Sequence, residues 1–403
     1  MYRNASPTTV SAVPARLPVN ALLALATSGF LTIMLETLPA GVLPALSSDL
    51  GVAEATAGQT VTFYALGALL GAIPIIGATM GWPRRRLLVI ALSGYVLTSL
   101  IVAVSPVFAV TLAARFVAGV FGGVLWGTLA GYAGRIVVPS QRGRALTIAL
   151  SGTPIALAFG TPAGTVLAAA VGWRLTFVTM AVLTAAVLAW ILVAVPPLPG
   201  QEKHERTTAL QALRLPGVLP IIAVALLFFS GHALLYTYIA PYLTLAGMSD
   251  TVGAALLVFG VSALVGLWVT GILIDRHLRP LMLISTAVLG IAMLVLGLAT
   301  STPVAIIVSI AAWGVAFGGS GSLQQTALTN ASGTAVDAAQ SVLVTGLNLG
   351  IALGGIIGGL LLTSAGAGSL PFATMTLLVL VFIIVVTGRR HAFPATTPRA
   401  NAS

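Results

Sequence analysis

The sequence predicts an all-α membrane protein with twelve transmembrane helices arranged as two six-helix, pseudo-symmetric halves. Three observations lead there. Hydrophobic residues make up 58% of the 403-residue chain and charged residues only 6%, whereas soluble proteins carry about 25% charge. The mean hydropathy is +1.09. The apolar runs are long enough to cross a bilayer as helices, which takes about 20 residues each, and they lack the strict alternation of barrel strands. Helices satisfy their own backbone polar groups within hydrocarbon, so they are the unit to look for.

Pro, Gly and charged residues punctuate the apolar runs and place the spans at 20–45, 55–80, 86–105, 107–133, 143–170, 175–195, 217–246, 252–274, 279–299, 303–330, 338–364 and 369–388. With the N-terminus inside, 16 of the 18 basic residues fall in inside segments, Arg174 lies in an outside loop, and Arg115 lies within span 4. An odd number of spans would strand about half of these charges on the wrong side of the positive-inside rule. Both termini are therefore expected in the cytoplasm. The longest polar connector, 196–216, separates an N-terminal half (1–195) from a C-terminal half (217–403). Met1–Asn20 is polar and basic, and the apolar run after it is too long for a signal segment and lacks a cleavage site, so it is expected to stay as span 1.

Internal similarity supports a duplication. The stretch Gly77–Arg86 after span 2 matches Gly271–Arg279 after span 8, Phe121-Gly122-Gly123 recurs as Phe317-Gly318-Gly319, and Ile155-Ala156-Leu157 recurs as Ile351-Ala352-Leu353, at offsets of 194, 196 and 196 residues. Each match is weak in a Gly/Ala-rich chain; the shared offset is the signal. Parallel halves around a midplane site are a transporter plan.

Composition also excludes function classes. With no cysteine there is no disulfide, thiolate metal site or cysteine nucleophile. The histidines at 204, 232, 277 and 391 have no metal-ligand spacing. No Gly-x-x-x-x-Gly-Lys loop is present to hold ATP. The net charge of +10 is dispersed over short loops, which marks membrane orientation and not nucleic-acid binding. Paired carboxylates at membrane depth, which a membrane enzyme would need, are missing. No cofactor is expected; the expected partners are a small-molecule substrate, protons and the bilayer, with the protein a monomer.

Of eight acids only Glu36 lies at membrane depth. A carboxyl there is expensive and reads first as functional, with a structural hydrogen-bonding role as the alternative. Arg115, the one basic residue inside a span, lies roughly 12 Å from the outer end of span 4, and Glu36 roughly 14 Å from the same end of span 1. A buried guanidinium needs an anion, or it bonds to carbonyls or snorkels outward. His232, near Phe229, Tyr236 and Tyr238, can relay protons, bind substrate or sit neutral with one hydrogen bond. Trp126, Tyr236, Gln324, Gln325 and Asn348 could line a polyol cavity, where amides bond hydroxyls and rings stack on sugar faces. Amides also join helices to one another. Glycines spaced by three and four residues in spans 4 and 11 read as close-packing positions, and Pro162 is expected to bend span 5.

Taken with Glu36, Gly41–Pro44 and Asp49 near span 1, Tyr64–Gly67, Arg115–Gly119, Thr161–Thr165, Gly172–Arg174, Tyr236–Pro241 and Asn348–Gly354, the chain resembles the major facilitator superfamily. Within it the chain is similar to the twelve-span drug:H+ antiporter branch that includes bacterial arabinose and other sugar efflux permeases. The resemblance implies the major facilitator fold, a central cavity lined by spans 1, 4, 7 and 10, and residence in the bacterial inner membrane. It also implies export of a small organic solute, sugar or drug-like, by proton antiport, with Glu36 and Arg115 as coupling residues. A proton-independent facilitator, or a nucleoside or amino-acid exporter of the same fold, is the alternative. The family's loop between spans 2 and 3 carries an acid that helps latch the outward-facing state. Here that position is Gly81, followed by Trp82, and only Gly77, Arg85 and Arg86 persist, whereas the second-half copy keeps Asp275 and Arg276. Gating is therefore expected to lean on Asp275 and Arg276, with Arg85 and Arg86 the remnant of the first latch.

The absence of native cysteine allows a direct test of the topology. Single cysteines placed in 196–216 should react with impermeant maleimide only after the cytoplasmic face is exposed; labelling from outside in intact cells contradicts the twelve-span arrangement.

Overall fold

The computed structural model describes residues 17–79, 81–138, 141–198 and 209–394. Arg3, Arg16, Lys203, His204, Arg206, Arg399 and most of the central connector lie outside these, as do the side chains of Asp275 and Asp337. Among the described residues every regular element is helical. Eleven helices among the described residues are long and apolar enough to cross a membrane: α1 Val19–Gly41, α3 Arg84–Val104, α4 Phe108–Arg135, α5 Arg144–Val171, α6 Trp173–Ala194, α7 Val218–Thr237, α8 Ser249–Ile274, α9 Arg276–Leu298, α10 Pro303–Ser332, α11 Ala339–Ala365 and α12 Ala367–Thr387. Between α1 and α3 runs α2, Glu54–Ala78, itself 25 residues long. The face of the bundle where α1 begins and α12 ends is here called the terminal face, and the opposite one the far face.

Two expected spans are broken. Span 1 was expected to run unbroken to 45, but α1 ends at Gly41, Val42 leaves helical geometry (φ −118, ψ 13), and a short helix Leu43–Leu50 follows. Span 7 likewise breaks at Tyr238 (φ −111, ψ 26) before a second piece, Ile239–Leu245. Proline explains both: Pro44 and Pro241 lack the N–H that Ala40 and Thr237 would otherwise accept, and their rings crowd the preceding turn. The breaks are 196 residues apart, and each short piece ends at a left-handed glycine, Gly51 (φ 62) and Gly247 (φ 72), again 196 apart. The turns before α6 and α12 use Gly172 (φ 86) and Gly366 (φ 77), 194 apart. The duplication read from side chains is thus repeated in the backbone.

In α5, a change of helix type accompanies Pro162. Residues Ala156–Gly160 form a π-turn directly before the proline, and the extra residue accommodates the missing hydrogen bond. Near the start of α9 the helix kinks at His277 (φ −131, ψ 31), and Arg279 donates to the Val386 carbonyl of α12 at 2.9 Å.

Small residues fix the helix spacing. A Cβ added to Gly119 of α4 would stand 1.9 Å from the Tyr64 carbonyl oxygen of α2, and one on Gly318 of α10 would stand 1.9 Å from the Ala263 carbonyl oxygen of α8. Backbones therefore touch in the same way in each half. Helices from before and after the connector meet as α2 against α11 and α5 against α8. The α2–α11 contact lies toward the far face: Tyr238 fits against Gly58 and Gly358, its hydroxyl donates to the Gly355 carbonyl at 2.9 Å, and Gln59 Nε2 donates to that carbonyl at 3.2 Å and to Tyr238 Oη at 3.3 Å. In the α5–α8 contact, Gly260 packs on the Leu157–Ala158 backbone of the π-turn.

Glycine positions make opposite predictions. Gly119→Val should lower detergent stability strongly, by several kcal/mol at about 1–3 per displaced contact. Gly134→Ala, whose added Cβ meets nothing within 4 Å, should be neutral or stabilise by up to ~1 kcal/mol through helix propensity. Thermal unfolding of the purified variants in detergent checks both.

Candidate functional site

Arg115 is 2% exposed at the centre of the first half. Its guanidinium donates to three main-chain carbonyls: Nη1 to Leu35 at 2.6 Å, Nη2 to Glu36 at 3.1 Å and Nε to Thr60 at 3.2 Å. The Leu35 bond has a local cause. Pro39 lies inside α1, and because proline has no N–H, the carbonyl four residues before it loses its helical donor. Arg115 supplies a replacement from α4. The guanidinium also stands 4.7 Å over the Tyr64 ring, whose hydroxyl is 2.6 Å from that of Tyr95. Of the three openings the sequence left for Arg115, an anion, carbonyls or snorkelling outward, this conformation takes carbonyls.

The Glu36 carboxyl is therefore held near Arg115 by backbone geometry and not by an ion pair. Among the described residues the one salt bridge within 4.0 Å is Arg174–Asp49, at 2.8 Å, on the far face. Next to Glu36, Thr37 shares a 2.7 Å hydrogen bond with Thr161 of α5. Tyr236 of α7 stands beside Thr161 and within electrostatic reach of Glu36, so α1, α5 and α7 converge at this point. A carboxyl so placed can take up or release a proton without breaking a salt bridge.

The second half contributes an aromatic cluster. His232 of α7 stacks on Phe317 of α10 with ring centroids 3.8 Å apart and planes 18° off parallel. Tyr236, Trp313 and Phe259 surround the imidazole at 4.9, 5.5 and 5.7 Å. His232 Nδ1, Trp313 Nε1 and both amide atoms of Gln324 are buried without a hydrogen-bond partner. Buried polar atoms left unpaired cost about 1–3 kcal/mol each, so three such side chains on α7 and α10 point to a ligand or water site. Sequence reading missed Trp313, although its four-residue spacing to Phe317 puts both on one face of α10 and was a usable signal.

The remaining candidates separate. Trp126 of α4 is half-buried and faces Gly29 of α1, where an added Cβ would lie 3.7 Å from its ring. Gln324 is fully buried, whereas Gln325 is exposed beside α11, its main-chain carbonyl accepting from Thr329 at 2.8 Å. Asn348 bonds within its own helix, Nδ2 donating to Val344 at 3.0 Å. On the terminal face Arg86 stacks over Trp82 at 4.7 Å, while Gly81 has open space around it. Arg85 Nε is buried without a partner, Arg276 is exposed, and the side chain of Asp275 is outside the described set.

The chain as a whole is similar to known transporters. The model of the Major Facilitator Superfamily matches residues 25–336 and 250–402. The chain is 29% identical over 360 residues to the purine ribonucleoside efflux pump NepI of Escherichia coli (strain K12), covering 88% of this chain and 90% of the relative. It is equally similar, 29% over 360 residues with the same coverage, to NepI of Shigella sonnei (strain Ss046). Among solved structures it resembles the xylose transporter XylE from E. coli, in a partially occluded inward open conformation, with a TM-score of 0.72, 15% identity, and 92% of this chain and 99% of that one covered.

The proline compensation predicts a non-additive pair. Arg115→Leu should destabilise by several kcal/mol, since it frees carbonyls of α1 and α2 at once. Pro39→Ala restores the missing N–H and should offset part of that loss in the double variant. Strictly additive unfolding free energies in a double-mutant cycle contradict the compensation.

Proposed function

The chain belongs to the Major Facilitator Superfamily, and from that premise we propose that it is a proton-coupled exporter of a nucleoside-sized polar solute. It is a multi-pass membrane transporter. The observation that carries the coupling is Glu36: one carboxyl at membrane depth, beside Arg115 yet outside ion-pair contact, where α1, α5 and α7 meet. The relatives named as purine ribonucleoside efflux pumps and the unpaired donors of the aromatic cluster favour a nucleoside over the sugar expected from sequence.

In this reading the terminal face is cytoplasmic, because the sequence puts 16 of the 18 basic residues in segments expected inside when the N-terminus is inside, and the membrane is the bacterial inner membrane. The Tyr238–Gln59–Gly355 contacts then close the periplasmic face, and solute enters from the cytoplasm. The two halves, 1–195 and 217–403, rock about the α2–α11 and α5–α8 contacts, with the protein acting as a monomer. Glu36 exchanges its proton with one side of the membrane in each state. Such a cycle needs interactions that differ between the states, and a carboxyl that no salt bridge holds permits that. Trp126 and Asn348 line the path, and Asp275 with Arg276 latches the cytoplasmic side when it closes, helped less by Arg85 and Arg86.

Glu36→Gln should abolish pH-driven export from proteoliposomes while leaving solute binding and solute–solute counterflow intact. Full pH-driven export by this variant moves the coupling site elsewhere, with His232 next.

A further inference from the structure

We infer that the Phe317 face now covered by the His232 imidazole, together with the Trp313 N–H, is the seat of a flat heteroaromatic ring, and that the Gln324 amide reads a neighbouring vicinal diol. The inference rests on the export reading above and assigns its substrate class to particular atoms. His232 is 9% exposed, Trp313 1% and Gln324 0%, so the slot is closed in this conformation, and His232 Nδ1, Trp313 Nε1 and both Gln324 amide atoms have no partner within the protein.

Two features select a ring over water. The neighbours around His232 are the rings of Phe229, Tyr236, Phe259, Trp313 and Phe317. That surrounding offers a water few of the two to four polar partners it needs, whereas a flat ring gains two faces to stack on. Moreover, the imidazole lies nearly parallel to Phe317 at 3.8 Å, the stacking geometry that a heteroaromatic base would take on the same face once His232 moves aside. A base taking the place of the imidazole would leave Trp313 Nε1–H and His232 Nδ1 to meet its ring nitrogens or carbonyls.

Gln324 follows Phe317 by seven residues, about 10 Å along the helix and close to the length of a nucleoside. Its amide presents an acceptor and two donors in one plane. A vicinal diol, each hydroxyl able to donate and accept, satisfies both ends; a lone apolar ring satisfies neither. A simple sugar would use Gln324 but leave the aromatic slot unfilled.

The test is export of radiolabelled inosine and arabinose by the full chain in proteoliposomes with an imposed pH gradient. Phe317→Leu and Trp313→Phe should each raise KM for inosine by about tenfold, and Phe317→Tyr, which keeps the stacking face, should stay near wild type. Gln324→Leu should raise KM for inosine and leave KM for 2′,3′-dideoxyinosine, which lacks the diol, unchanged. Inosine export with the same KM in wild type, Phe317→Leu and Trp313→Phe overturns the slot and leaves the export reading standing. Wild-type export of arabinose but not inosine overturns the nucleoside reading and the slot with it. Should Phe317→Leu fail to fold, Trp313→Phe, which removes one N–H and keeps a ring, decides the matter.

Discussion

Arg115 has to place a full set of charged donors in a region without water, and how it does so governs the rest of the first half. It bonds to main-chain carbonyls of α1 and α2, one of them orphaned by Pro39. A helix that proline would otherwise weaken is thereby tied to its neighbours, and Glu36 is fixed in position through its own backbone carbonyl. Since the guanidinium is satisfied this way, the carboxyl is left out of a salt bridge. Close packing of α4 on α2 through Gly119 brings Arg115 within reach, so spacing, clamp and carboxyl depend on one another.

The two halves use one architecture for different chemistry. Backbone contacts at Gly119 and Gly318 hold equivalent helix pairs together, and proline breaks recur at equivalent positions. At the centre, however, the first half carries Glu36, Arg115 and two hydroxyl-paired tyrosines, and the second carries stacked rings with unpaired polar atoms. The charged half suits proton exchange and the aromatic half suits solute recognition. Tyr236 stands between them, beside Thr161 of α5 and within reach of Glu36, and in the proposed reading this is where substrate and proton would influence one another.

Much of the fold was legible because hydrocarbon imposes one rule on every span. Apolar runs read at 107–133 and 303–330 became α4 Phe108–Arg135 and α10 Pro303–Ser332, with ends set by Pro and charge. The breaks at Val42 and Tyr238 were less visible: a proline removes a hydrogen bond, but whether a helix bends, breaks or inserts a π-turn depends on what packs beside it, as the different outcomes at Pro44 and Pro162 show. Glu36 and Arg115 stood out as lone charges in apolar spans, yet their relation did not. Carbonyl acceptors are invisible in a sequence, since every residue has one. Gln324 and Gln325 are neighbours of the same type, and only helix rotation separates the buried amide from the exposed one.

The central claim is that Glu36 holds a proton that the solute displaces. Titrating weakly buffered, detergent-solubilised protein with inosine and recording the pH change measures this directly. The account predicts release of about one proton per transporter bound, lost in the Glu36→Gln variant although inosine still binds. Inosine binding with no proton release from the wild-type protein, or equal release from the variant, contradicts it.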